Sequence, residues 1–153
     1  MKHFIIDGNN VIGKINSLKR IDKKDKQQSR LRLAFLIDNY FHDKKAKVTI
    51  HFDGYENEKI KLNNCKIIYS LNRTADENIK RQIESSSNPK NIIVVTSDNN
   101  LRQFAQVCTC TLQNSEEFAK NLTQNDMDDE AEKIGKMSKD IDEFKKLFGV
   151  GED

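Results

Sequence analysis

Four carboxylates stand at comparable places in the chain. Asp7 closes the apolar run of "FIIDGNN" (residues 4–10), Asp53 closes "VTIHFDG" (48–54), Asp98 closes "IIVVTSD" (92–98), and Asp76 lies just inside a helix-like start in "RTADENI" (73–79). Acids gathered in one cleft repel unless their pKa values rise or a cation neutralises them. Oxygen donors without an accompanying histidine or thiolate favour Mg²⁺ or Mn²⁺, which keep waters and accept phosphate oxygens beside a few carboxylates. Such a site can hydrolyse phosphodiesters, because the metal lowers the pKa of a bound water and offsets charge developing on the phosphate. Each acid also has a structural reading. Asp98 suits a helix cap, Asp53 before Gly54 suits a turn, and Thr74 with Glu77 fits a capping box in which Asp76 complements the helix dipole. Asp7 is harder to explain structurally, since an acid ending a central strand needs a partner and no nearby cation is evident in the sequence.

The elements that would position these acids alternate. Continuous Ile and Val runs read as strands covered on both faces. A helix is expected over about 30–42, with Leu31, Ala34, Phe35, Leu36 and Ile37 as its apolar face, after a polar mobile loop "NSLKRIDKKDKQQ". The strand "KVTIHF" follows, then a short strand near "CKIIYS", a helix opened by "TADENIKRQIE", the strand "NIIVVTS", a helix from about Asn99 to Gln106, the strand "CTCTLQ" and a helix at "SEEFAKNL". This order predicts an α/β fold of three layers, α/β/α, with a mainly parallel sheet, because parallel neighbours require crossover connections. In such sheets ligands bind beyond the carboxyl ends of the strands, where strand order reverses. Residues 126 to 148 carry apolar positions at helical spacing and predict an appended, acidic C-terminal helical segment.

Composition bounds the alternatives. At 153 residues one core is expected, and 36% apolar with 33% charged residues suits a soluble globular domain. No apolar stretch approaches the roughly 20 residues of a membrane span, and the N-terminus lacks the pattern of a secretory signal, so a cytoplasmic protein is expected. Cys65, Cys108 and Cys110 lack zinc-site spacing and predict free thiols, with Cys108 and Cys110 on one face of the "CTCTLQ" strand. Residues 1–50 hold 12 Lys or Arg against 5 Asp or Glu, whereas residues 121–153 hold 5 against 10. A basic first third can attract RNA, and it equally fits a solvated helix face. No GxxxxGK[ST] or GxGxxG motif is present, which leaves nucleotide hydrolysis and dinucleotide redox chemistry without support.

"IIDGNNVIG", "VTIHFDG", "RTADENI" and "IIVVTSDNNL", in this order and spacing, resemble the NYN domain of the PIN-like nuclease superfamily, and more closely its bacterial YacP-like branch. The resemblance covers about residues 1–122, leaving 123–153 as an acidic helical extension. It implies a Rossmann-like fold, a metal-dependent endoribonuclease, and in the YacP-like branch association with translating ribosomes and messenger RNA decay. By position it implies Asp7, Asp76 and Asp98 as the catalytic, metal-holding acids and Asn10 as the asparagine after the first of them, with Asp53 and Glu77 in secondary roles. Some PIN-like branches carry another acid shortly after the one at the fourth strand, where Asn99, Asn100 and Arg102 stand here.

Three functions compete at this level. One is an endonuclease of single-stranded RNA, using Mg²⁺ or Mn²⁺, with Lys14, Arg73 and Arg102 as phosphate contacts. Another is an RNA- or metal-binding module without turnover. A receiver-like phosphoacceptor domain is disfavoured by the spread of the acids and the lack of a late-strand lysine.

Overall fold

Five short runs of β-branched and aromatic residues pair into one sheet in the computed structural model, which describes residues 1–124. They are β1 (Lys2–Asp7), β2 (Ala46–Phe52), β3 (Lys66–Tyr69), β4 (Ile92–Val95) and β5 (Thr111–Gln113). All pairings are parallel and the strand order is β3-β2-β1-β4-β5. The helices are α1 (Gly8–Ile12), α2 (Asn16–Lys24), α3 (Lys26–Tyr40), α4 (Ala75–Glu84), α5 (Asn99–Val107) and α6 (115–124).

Period-two alternation along the strands divides the core between the two sheet faces. Ile6, Val48, Ile50, Phe52 and Val95 pack with Val11, Leu18, Leu33, Ile37, Phe41 and Phe118 on the side of α1, α2, α3 and α6. Ile5, Ile92 and Val94 pack with Ile79, Ile83, Leu101 and Ala105 on the side of α4 and α5. The α/β/α layering expected from the alternation of elements is therefore the observed one.

Several local expectations need correction. "NSLKRIDKKDKQQ", expected as a mobile loop, is largely α2, because Leu18 is buried and Ile21 half-buried at helical spacing. Lys and Arg are good helix formers, so a charge-rich run does not oppose helix. Asp25 then starts α3 by accepting a hydrogen bond from the Gln28 amide at 3.1 Å. On α3 the buried face is Leu33, Ala34 and Ile37, while Phe35 is 51% exposed. "CTCTLQ" is only half strand: Cys108 ends α5, Thr109 turns the chain at φ 71°, and pairing starts at Thr111 opposite Ile93. Cys108 and Cys110 thus flank a helix-terminating turn, and both are free thiols, as is Cys65. The acidic helical segment expected over residues 126–148 lies outside the described residues. Among the described residues no helix is long and apolar enough to cross a membrane.

Candidate active site

The strand order reverses between β1 and β4: from β1 the chain builds outward to β2 and β3, then returns to place β4 and β5 on the other side. A crevice must open at the carboxyl ends of those two central strands, since their following segments depart in opposite directions. Asp7 ends β1 and the Thr96–Ser97–Asp98 turn follows β4, so both flank this point. A cleft of about 560 Å³ lies there, lined by Asp7, Asn9, Asn10, Asp53, Arg73, Thr74, Ala75, Asp76 and Asp98.

Asp7 Oδ2 accepts a hydrogen bond from the Thr96 hydroxyl at 2.9 Å. Burial pushes its carboxyl up to about 6; the Thr96 hydroxyl and the Asn10 backbone oppose the rise, and the charges of Asp53 and Asp76 add to it. Asp53 is held at both ends: its amide donates to Asn9 Oδ1 at 2.8 Å and its carboxylate accepts from the Ala75 amide at 2.7 Å. Asp53 therefore ties β2 to the start of α4. Asp76 Oδ2 pairs with Lys80 at 3.1 Å, one turn on, while its Oδ1 is buried with no hydrogen-bond partner. Asp98 caps α5, its Oδ1 accepting from the Leu101 amide at 2.9 Å, so the structural reading of this residue holds alongside its place in the cleft.

The remaining sequence candidates separate. Asn10 is a brace: its Oδ1 accepts from the Ser97 amide at 3.0 Å and from the Ser115 hydroxyl at 2.5 Å, joining α1 to the β4–α5 turn and to α6. Arg73 lines the cleft. Glu77 is exposed outside it, and its amide donates to Thr74 Oγ1 at 3.1 Å in the expected cap. Lys14 pairs with Glu116 at 3.1 Å, and Arg102 donates to the Thr96 carbonyl at 3.0 Å, steadying the turn that carries Asp98. Neither Lys14 nor Arg102 lines the cleft.

Four participants escaped the sequence reading. Asn9 and Thr96 hold Asp53 and Asp7, and Ser97 donates its hydroxyl to Glu116 at 2.6 Å. That hydrogen bond, with the Glu116 backbone and Lys14, holds the exposed Glu116 carboxyl down at about 2. The signal was available: "LQNSEE" puts acids after a strand end, as the three other runs do.

The donor set fits a hard divalent cation in an open site. All the cleft's acidic donors are carboxylate oxygens, Asp7 resists ionisation without a neutralising partner, and Asp76 leaves one buried oxygen unsatisfied. Among the described residues no group of three or more His, Cys, Asp or Glu stands close enough to hold a metal ion by itself. A closed cage is therefore absent there. An open site of one or two carboxylates completed by water and substrate oxygens is how Mg²⁺ is commonly held.

Gly8 permits the approach of α1 to β2. A Cβ at this position would lie 2.6 and 2.7 Å from Phe52 ring atoms and 2.8 Å from the His51 carbonyl oxygen. The carbonyl belongs to a central strand and cannot yield cheaply. Gly8→Ala is expected to lower the melting temperature by several degrees, from an overpacking cost of about 1–3 kcal/mol. A thermal melt superimposable on wild type would show that α1 is not tightly seated.

An all-parallel three-layer sheet with carboxylates around its switch point defines a Rossmann-like α/β/α domain with an acidic cleft. The chain belongs to the YacP-like NYN domain family, whose model matches residues 4–147. That family is of nuclease type, which gives an RNase-type function as the coarse expectation. A crystal structure of Rae1 (YacP) from Bacillus subtilis is similar at 23% identity and a TM-score of 0.69, covering 99% of this chain and 93% of that one. A W164L mutant of Rae1 (YacP) is similar at 20% identity and a TM-score of 0.68, covering 85% and 79%. These likenesses are of fold. No curated protein matches the sequence.

Proposed function

We propose that the chain is a divalent-metal-dependent endoribonuclease that cleaves single-stranded RNA. The observation that carries this reading is Asp7: a half-buried acid at the switch point, raised to about 6 and facing the charges of Asp53 and Asp76 in one cleft. Asp7, Asp76 and Asp98 are the residues that would hold Mg²⁺ or Mn²⁺. When bound, the ion supplies an activated water and neutralises charge on the phosphate. The chain's own residues do the positioning. Asn10 fixes the Asp98 turn against α1, Asp53 fixes the α4 start that carries Asp76, and Thr96 orients Asp7. Arg73, which lines the cleft, is the cation this reading assigns to the RNA backbone, and Lys14 would serve a phosphate only by giving up its pair with Glu116. RNA met on a translating ribosome in the cytoplasm belongs to this same reading, on the strength of the YacP-like family.

The test is cleavage of a single-stranded RNA oligonucleotide. Wild type should cut it in Mn²⁺ or Mg²⁺ and spare it in EDTA, and Asp7→Asn should be at least about a hundredfold slower, several kcal/mol of transition-state stabilisation having been lost. Full activity in a clean Asp7→Asn preparation would sink the mechanism. RNA binding without cutting under either metal would favour the second reading, an RNA- or metal-binding module without turnover.

A further inference from the structure

One buried cation has no carboxylate partner among the described residues and no role in the cleft chemistry. Arg30, on α3, is 7% exposed; its guanidinium donates to the carbonyls of Asp53 and Tyr55 and lies 5.7 and 5.6 Å from the ring centroids of Phe52 and Tyr69. Burying a charged group costs free energy unless it is hydrogen-bonded, and here its bonds go to the backbone of a surface loop. The loop that receives them is 53–55, and what it displays is Tyr55, 54% exposed.

The second loop on this edge, 70–74, is fastened to the first. Gly54, at φ 85°, donates its amide to Ser70 Oγ at 2.8 Å and accepts from the Leu71 amide at 2.8 Å, while the Tyr55 hydroxyl donates to the Asn72 side chain. Leu71 stands at φ 61°, a left-handed conformation uncommon for a side chain of that size, and is 56% exposed. Two large side chains are thus presented to solvent on loops braced to each other. Asp53, two residues before Tyr55, and Arg73, two residues after Leu71, both line the cleft.

An exposed ring held by its hydroxyl and backbone, with a cation for phosphate two residues from its apolar neighbour, matches what a single-stranded nucleic acid requires: a π-face for an unpaired base and a positive charge for the backbone. We infer that Tyr55, flanked by Leu71, is a stacking platform for one unpaired base of the RNA strand entering the cleft, with Arg30 as the positioning residue that keeps the loop in place. This rests on the single-stranded RNA reading above and adds the subsite. Stacking is tolerant of base identity, so the platform would set the register of the strand rather than a sequence preference.

Binding separates the two readings without relying on turnover. A short single-stranded RNA carrying 2-aminopurine at successive positions is titrated into Asp7→Asn protein in EDTA, reading both affinity and fluorescence. One position should be quenched on binding. Tyr55→Ala in the same background should abolish that quench and weaken binding about 5- to 150-fold, the effect of losing one stacked base. Tyr55→Phe, which keeps the ring and loses the bond to Asn72, should restore the quench and bind within about threefold. Arg30→Met should fold, retain Tyr55 and lose much of the quench. If the RNA binds and Tyr55→Ala leaves affinity and quench unchanged, the platform is wrong and the nuclease reading stands. If no single-stranded RNA binds to this protein or to wild type in Mn²⁺, the platform falls, and the nuclease reading falls with it when wild type also fails to cut.

Discussion

Asp7→Asn is expected to be more stable than wild type at pH 7.5 in the absence of divalent metal, with a melting temperature higher by roughly 5–10 °C. The sign follows from the folded-state value of about 6 against 3.8 for the unfolded chain. A carboxyl whose pKa is raised by folding favours the folded state fully below the unfolded pKa and loses that advantage as pH climbs through the folded one. Above about pH 6 the ionised Asp7 must sit in a site that disfavours its charge. The gap corresponds to about 3 kcal/mol at 1.36 kcal/mol per pH unit, and an amide of the same shape avoids it. Asparagine can still accept the Thr96 hydroxyl through its carbonyl, so the substitution leaves no orphaned donor there. Below about pH 4 the two proteins should melt together. His3, lowered to about 4, and His51, also lowered by burial, destabilise the fold in acid, but they do so equally in both proteins and cancel from the difference. Melts from pH 4 to 8 in EDTA check this. An Asp7→Asn protein no more stable than wild type at pH 7.5 would show that the cleft solvates the carboxylate well and that no cation is needed there. A residue that weakens the fold when charged, at the sheet's switch point, is what a site kept for function rather than stability looks like.

The strands and the acids at their ends were legible in the sequence for one physical reason: a central parallel strand is apolar on both faces, so a carboxylate ending such a run breaks a simple pattern. Asp7, Asp53 and Asp98 stood out this way, and all three line the cleft with Asp76. What connects them was not legible. Asn9, Thr96 and Ser115 act through hydrogen bonds between residues as far as 105 positions apart, and nothing in a local window distinguishes such a brace from an ordinary turn residue; Asn10 was singled out by resemblance, but its bracing partners were not. Lys14 and Arg102 show the converse: their basic type suggested phosphate, yet one pairs with Glu116 and the other with the Thr96 carbonyl, partners that only the fold brings near. The helix α2 was missed because charge was read as loop, although three apolar residues, Ile15, Leu18 and Ile21, already sat at helical spacing. Arg30 was invisible for a similar reason, since a buried arginine that serves carbonyls on another element leaves no pattern in its own helix.

Adding Mn²⁺ is expected to reverse the stability order of these proteins. At pH 7.5 a divalent ion turns the cost of the ionised Asp7 into an attraction, and a ligand at a hundred times its Kd stabilises the folded state by about 2.7 kcal/mol. Wild type should gain melting temperature on titration with Mn²⁺ and Asp7→Asn should gain little. Asp98→Asn separates capping from ligation. Asparagine caps a helix about as well as aspartate, so the variant should melt near wild type in EDTA, with α5 still started through the Leu101 amide, while losing part of the Mn²⁺ response. Asp76→Asn should behave similarly, since the oxygen it leaves without a partner is the one available to a cation. Glu77→Gln, exposed and outside the cleft, should respond as wild type does. Protons and metal compete for the same carboxylates, so the Mn²⁺ effect should fade as pH falls through about 6, the range in which Asp7 takes up its proton. Together the melts with and without Mn²⁺ should cross: without metal wild type loses ground to Asp7→Asn as pH rises, and with metal it gains. Equal Mn²⁺ shifts in wild type, Asp7→Asn and Asp98→Asn would place the ion elsewhere and remove Asp7 from the site.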